Sequence, residues 1–192
     1  MFAENITNEE IKDFPLLQFT GGIFIIDTFE KLDYYLPLLK DQKMLGFDTE
    51  TKPSFKKGEK NSVSLLQLTT SSEAFLIRVN TIGLPDELIE IFENKDIKKI
   101  GLALKDDISI LNQVNKFKPE NFIDLQIYVK AFGIESNSLK KIAAIVFNKR
   151  ISKAQQVTNW ERQELTEAQQ IYAATDAWAC LQIYKKLTEQ FF

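Results

Sequence analysis

Short stretches that are apolar or alternate apolar with polar residues occupy positions 22–26, 44–48, 63–68, 74–79 and 98–102. Each is bounded by turn-forming or charged residues, and the pattern predicts five strands. Apolar residues return at helical spacing over 28–39, 86–94, 105–114, 125–131, 138–147 and 167–191. The last of these follows Thr166 and carries Gln169 three positions on, the start of a capping box. Three strands succeed one another with only loops between them, so they are expected to form an antiparallel meander. Strand 98–102 is reached through a helix and is expected to pair in parallel. The order predicts an α/β domain, a mixed sheet of five to six strands flanked by helices, with its site at the strand ends. No repeat, low-complexity tract or Pro/Gly-rich linker divides the chain. Residues 21–192 are therefore read as a single domain, preceded by an N-terminal arm of residues 1–20.

Composition narrows the chemistry. The 192 residues are 44% hydrophobic and 27% charged, the balance of an ordinary globular protein. There is no histidine, which excludes a Ser-His-Asp triad, a Cys-His pair, a His-ligated zinc and a His general base. The one cysteine, Cys180, can form neither an intramolecular disulfide nor a thiolate cluster. A metal held here should therefore be a hard ion such as Mg²⁺ or Mn²⁺, bound through oxygen. The first ten residues are polar and acidic and the longest early apolar run is short, so neither an export leader nor a membrane span is expected. A reducing, cytoplasmic location follows. With 24 Lys and Arg against 27 Asp and Glu, the formal charge is −3. That argues against a tight non-specific duplex binder, but not against an enzyme touching a few phosphates through a local basic patch.

Three segments carry acids in places that a folded chain avoids. On a strand ending Gly46-Phe47-Asp48-Thr49-Glu50, the Asp48 and Glu50 side chains project together while Phe47 and Thr49 face the other way. Two carboxylates on one face repel unless a cation lies between them. Alternatively, the strand simply runs out into an acidic turn. In the segment after Gly101, Leu104, Ile108 and Leu111 form an apolar helical stripe, and Asp107 lies on it while Asp106 points to the polar side. An inward carboxylate is costly unless paired or metal-bound; alternatively both acids are N-terminal acids in a favourable helix dipole, which is the better reading for Asp106. In the third segment Tyr172 and Asp176 are four apart on one face of a helix, among Ala173, Ala179, Cys180 and Ile183. A buried Tyr–Asp hydrogen bond would also account for that pair.

Taken together, the segments resemble the three motifs of the DEDD superfamily of 3′–5′ exonucleases, in the tyrosine-bearing branch of ribonuclease D and the Werner-type exonuclease domain. The matching residues are Phe47-Asp48-Thr49-Glu50, Gly101 with Asp107, and Tyr172-Ala173-Ala174-Thr175-Asp176-Ala177. Leu65-Leu66-Gln67-Leu68 resembles the strand after the first motif. Asn159-Trp160 and Leu165-Thr166 resemble the run-in to the last. The resemblance runs from Ile23 to the C-terminus. It implies a ribonuclease-H-like fold and two divalent cations, Mg²⁺ or Mn²⁺, with nucleic acid as partner. It further implies that Asp48 bridges the ions, Glu50 and Asp176 complete the first site, Asp107 serves the second, and Tyr172 orients the attacking water. The implied product is a nucleoside 5′-monophosphate.

Candidate substrate contacts are Thr49, Lys57 and Lys60, the lysines belonging to a basic run with Lys52 and Lys56. Lys149, Arg150 and Lys153 form a second basic patch. Trp160 reads as a packing anchor and Asp124 as a helix N-cap. Ribonuclease D carries a further C-terminal helical module, and this chain stops sixteen residues after Asp176, so DNA is favoured over RNA. The remaining alternatives are a ribonuclease D-like RNA 3′-end enzyme and a non-catalytic binding domain of the same fold. The latter would have lost at least one of the five residues.

Overall fold

The computed structural model describes residues 2–53 and 61–189. Six strands form one mixed sheet: β1 (Gly22–Ile26), β2 (Met44–Thr51), β3 (Val63–Thr69), β4 (Glu73–Ile77), β5 (Lys98–Gly101) and β6 (Phe122–Asp124). The helices are α1 (Asn8–Lys12), α2 (Phe29–Lys40), α3 (Val79–Ile82), α4 (Asp86–Glu93), α5 (Leu104–Val114), α6 (Leu125–Tyr128), α7 (Leu139–Phe147) and α8 (Glu167–Thr188). A 3₁₀ turn at Val129–Phe132 continues α6 and ends at Gly133.

Across the sheet the order is β1-β4-β3-β2-β5-β6. The expected meander is present: β2 pairs antiparallel with β3, and β3 with β4. Strands β5 and β6 extend it in parallel from β2, and β1 lies parallel to β4 at the other edge. Strand β6 is not among the five stretches read as strands, because three residues are too few for a strand pattern.

Alternation along β2 divides the molecule. Leu45 and Phe47 face a core built with α2, α4 and α5, which includes Leu32, Leu88, Phe92, Leu104 and Leu111. Phe47 is wholly buried there, its ring 5.9 Å from Phe92 and 5.3 Å from Phe122 in edge-on contacts. Each such side chain contributes about 1.5–3 kcal/mol by leaving water. The opposite face is covered by α8. Its capping box is present as expected, with Thr166 accepting from the Gln169 N–H, a cap worth about 1 kcal/mol.

Small residues set how closely α8 approaches. A Cβ at Gly46 would lie 2.1 Å from the Ala177 carbonyl oxygen and 2.3 Å from Thr69 Oγ1, so only glycine allows this seating. At Gly101 a Cβ would meet the Phe47 carbonyl oxygen at 2.7 Å. Both glycines stand next to site-bearing segments.

Residues before β1 pack onto the domain. Ile11, Leu17 and Phe19 are buried, Leu16 bridges to Arg150, and the Phe19 N–H donates to Thr175 Oγ1 at 3.1 Å. Among the described residues no helix is long and apolar enough to cross a membrane.

Candidate active site

Strand β2 continues past Asp48 to Thr51, so Asp48 and Glu50 share a regular strand and leave the same face. Asp176 sits in the middle of α8 and is 9% exposed. With Gly46 holding that helix close, carboxylate oxygens of Asp48, Glu50 and Asp176 lie within 4.8 Å of one another. Asp176 Oδ1 is buried without a hydrogen-bond partner, and none of the three acids forms an ion pair among the described residues. A structural hydrogen-bond network would leave no such orphan. The donor set, three carboxylates and no sulfur or imidazole, fits a hard divalent cation.

Asp107 reaches the site from the other side of the sheet. It lies in the first turn of α5, half-buried, while Asp106 beside it is exposed, which is the distinction drawn from the apolar stripe. The Thr49 hydroxyl donates to Asp107 Oδ1, so the residue facing away from Asp48 on β2 holds the fourth acid. Asp124 does more than the expected N-cap. It accepts from the Gln126 N–H of its own helix at 2.9 Å, and from the N–H groups of Ala103 and Leu104 at 3.0 Å each. It thereby fixes the start of α5, where Ala103 holds a left-handed φ of 58°. Sequence pattern cannot show this second role, since it depends on β5 and β6 lying side by side.

Crowding acids in a dry place raises their pKa values. Burial, then Asp176, Glu50 and Asp107, push Asp48 well above the carboxylate range. Burial, Asp176 and Asp107 raise Glu50 to about 9. Burial raises Asp176 to about 7 against the pull of the Tyr172 hydroxyl and of Lys153. Asp107 rises to about 6, by burial and against the Thr49 hydrogen bond. A positive charge among them would reverse these shifts. Burial and the same acids push the Tyr172 phenol upward, so it keeps its proton throughout the neutral range.

Of the candidate substrate contacts, Thr49 is committed to Asp107, and Lys57 and Lys60 lie outside the described residues, as does Lys56. Lys52 pairs with Glu161 at 2.9 Å. Arg150 donates to the Phe14 carbonyl at 3.1 Å, tying down the N-terminal segment. Lys153 lines a cavity of about 250 Å³ with Tyr172, Asp176, Asn137 and Gln156. Trp160 is fully buried, its ring 6.0 Å from that of Tyr172, as befits a packing anchor.

A mixed sheet of this order, flanked by helices and carrying a carboxylate cluster beside a tyrosine, defines an exonuclease domain of the ribonuclease-H-like class. The family model described as 3′-5′ exonuclease matches residues 23–191, and the chain belongs to that family. Among curated proteins it is 34% identical over 185 residues to the bifunctional 3′-5′ exonuclease/ATP-dependent helicase WRN of Mus musculus, covering 90% of this chain and 13% of that protein. The Aedes aegypti Nibbler EXO domain superposes with a TM-score of 0.80 at 27% identity, covering 92% of each chain. RNase D of Escherichia coli, described as an exoribonuclease involved in structured RNA processing, gives 0.78 at 24% identity, covering 88% of this chain and 45% of that one. The chain thus spans a minor part of WRN and about the whole of the Nibbler domain.

Proposed function

We propose that this protein removes nucleotides one at a time from the 3′ end of a nucleic acid strand, releasing nucleoside 5′-monophosphates. The observation that carries the reading is the cluster of Asp48, Glu50 and Asp176, at least half-buried, none of which forms an ion pair among the described residues. Two divalent cations, Mg²⁺ or Mn²⁺, would be held there, by Asp48, Glu50 and Asp176 with Asp107 serving the second. When bound they supply the positive charge that acidifies a water and stabilises the phosphoryl oxygens.

The chain's own groups do the positioning. Asp48 and Glu50 are fixed by the strand, Asp176 by a helix seated against Gly46, and Asp107 by the Thr49 hydroxyl. Tyr172, one helical turn before Asp176, keeps its proton and therefore acts as a hydrogen-bond donor that orients a water, not as a base. Lys153, beside Tyr172 and Asp176, adds positive charge to the cavity wall. A reducing, cytoplasmic setting suits the single buried thiol of Cys180.

DNA is the sugar class proposed first, on the 34% identity to the exonuclease joined to a helicase. RNA is the second reading. It is favoured by the polar wall beside Asp176, where Asn137, Ser138, Ser152 and Gln156 offer partners for a 2′-hydroxyl. The test is a panel of 5′-labelled single-stranded DNA, RNA and recessed duplexes incubated with Mn²⁺. A ladder shortening from the 3′ end, lost with chelator and with Asp48→Ala, is expected. Full activity of Asp48→Ala, or none on any substrate, would sink the reading.

A further inference from the structure

Gln67 lies on β3, wholly buried, and neither Nε2 nor Oε1 of its side chain has a hydrogen-bond partner. Leaving a buried amide unpaired costs about 1–3 kcal/mol, and an apolar side chain of the same size would avoid that cost. Its neighbours on the same face of the strand are Leu65 and Thr69. Over them lie Ala173, which packs with Leu65, and Ala177, which crowds Gly46 and Thr69. These alanines bring no side-chain donor or acceptor. Across the sheet on one side is Leu76 of β4, which is apolar. On the other side the register places Asp48 directly opposite. Paired residues of antiparallel strands put their Cβ atoms about 4.5–5.5 Å apart on one face. The carboxylate that the register sets beside the orphaned amide is therefore that of Asp48.

We infer that Gln67 is a positioning residue for the metal site: its side-chain N–H donates to the Asp48 carboxylate when that group is a ligand, fixing how it presents its other oxygen. The inference rests on the metal-dependent reading above. Ligating carboxylates are commonly held by such a hydrogen bond from behind, and losing it costs about 10–100-fold in metal affinity or activity. The amide is neutral, so it orients Asp48 without competing with the cation for the site. It also gives the buried dipole a partner, which relieves the cost of keeping it on β3.

Gln67→Met keeps the volume and removes the donor. Titration of Mn²⁺ into the metal-free protein by calorimetry should show affinity weakened about 10–100-fold, with the melting temperature of the metal-free variant unchanged or raised. A purely structural glutamine predicts the reverse, a lowered melting temperature with wild-type affinity, and that result overturns the inference. Wild-type protein that binds no Mn²⁺ overturns both this inference and the reading it rests on. Wild-type binding with an unaffected Gln67→Met overturns this one alone. Should Gln67→Met not fold, the side-chain NH₂ resonances of Gln67 in the wild-type protein decide. Mg²⁺ should move them and slow their exchange with water, and resonances that stay in place overturn the inference.

Discussion

Asp107 and Asp176 are both helical acids, yet they enter the site at different cost. Asp107 stands in the first turn of α5, half-buried, with a helix dipole that favours its charge and a Thr49 hydroxyl on one oxygen. Asp176 stands in the middle of a 22-residue helix, nearly inaccessible, with one oxygen unpartnered and two further acids opposite. An acid at a helix start needs no special explanation. One buried mid-helix against other acids is retained at the expense of stability, and this makes Asp176 the more informative marker of function.

The contrast is broken most severely at Asp176. Asp176→Asn should lower exonuclease turnover by about a thousandfold. It should also raise the melting temperature of the metal-free protein by about 2–4 °C for each kcal/mol of repulsion removed. Turnover assays and thermal melts on the same preparation test both signs, and a variant that loses stability would contradict the account of Asp176. The pH dependence has a definite direction. Asp176 near 7 and Asp107 near 6 hold protons more tightly folded than unfolded. The metal-free protein therefore has their contribution in full below about pH 4 and loses it as pH climbs through 6 to 7. Melting temperatures from pH 5 to 8 should fall, and saturating Mg²⁺ should flatten the slope.

At Asp107 the change is smaller. Asp107→Asn should cost about a hundredfold in turnover, with a smaller rise in metal-free stability than Asp176→Asn, since its charge is less buried and hydrogen-bonded. Equal stabilisation by Asp107→Asn and Asp176→Asn would erase the distinction between them. Tyr172→Phe should lower turnover by about ten- to a hundredfold through a misplaced water, while calorimetry shows nearly unchanged Mn²⁺ affinity. A large loss of affinity would assign the tyrosine to metal binding instead. Least of all, Thr49→Val should cost about three- to tenfold, the worth of one hydrogen bond to Asp107. Steady-state kinetics at fixed Mn²⁺ would read it.

Much of this was legible beforehand because its signals are local. The shared face of Asp48 and Glu50 follows from strand periodicity, and the separation of Asp107 from Asp106 from the helical one. The capping box at Thr166 needs only four residues. Other features depend on what the chain folds against. Strand β6 is three residues long and pairs with β5 only because α5 returns it there. Asp124 reads as a cap for α6, and its grip on α5 needs the parallel register of β5 and β6. Gln67 looks like the polar member of an alternating strand, and only burial of both sheet faces turns it into an orphan. Thr49, a candidate substrate contact, also holds Asp107 with its hydroxyl, and spacing cannot show a partner 58 positions away.

The bond from the Phe19 N–H to Thr175 Oγ1 joins residues 156 positions apart, and Thr175 is next to Asp176. During synthesis β2, which carries Asp48 and Glu50, emerges well before α8. Until that helix has left the ribosome, Asp48 and Glu50 lack Asp176, and the Phe19 N–H lacks the Thr175 hydroxyl. The three-acid cluster is thus completed only when α8 has folded onto the sheet.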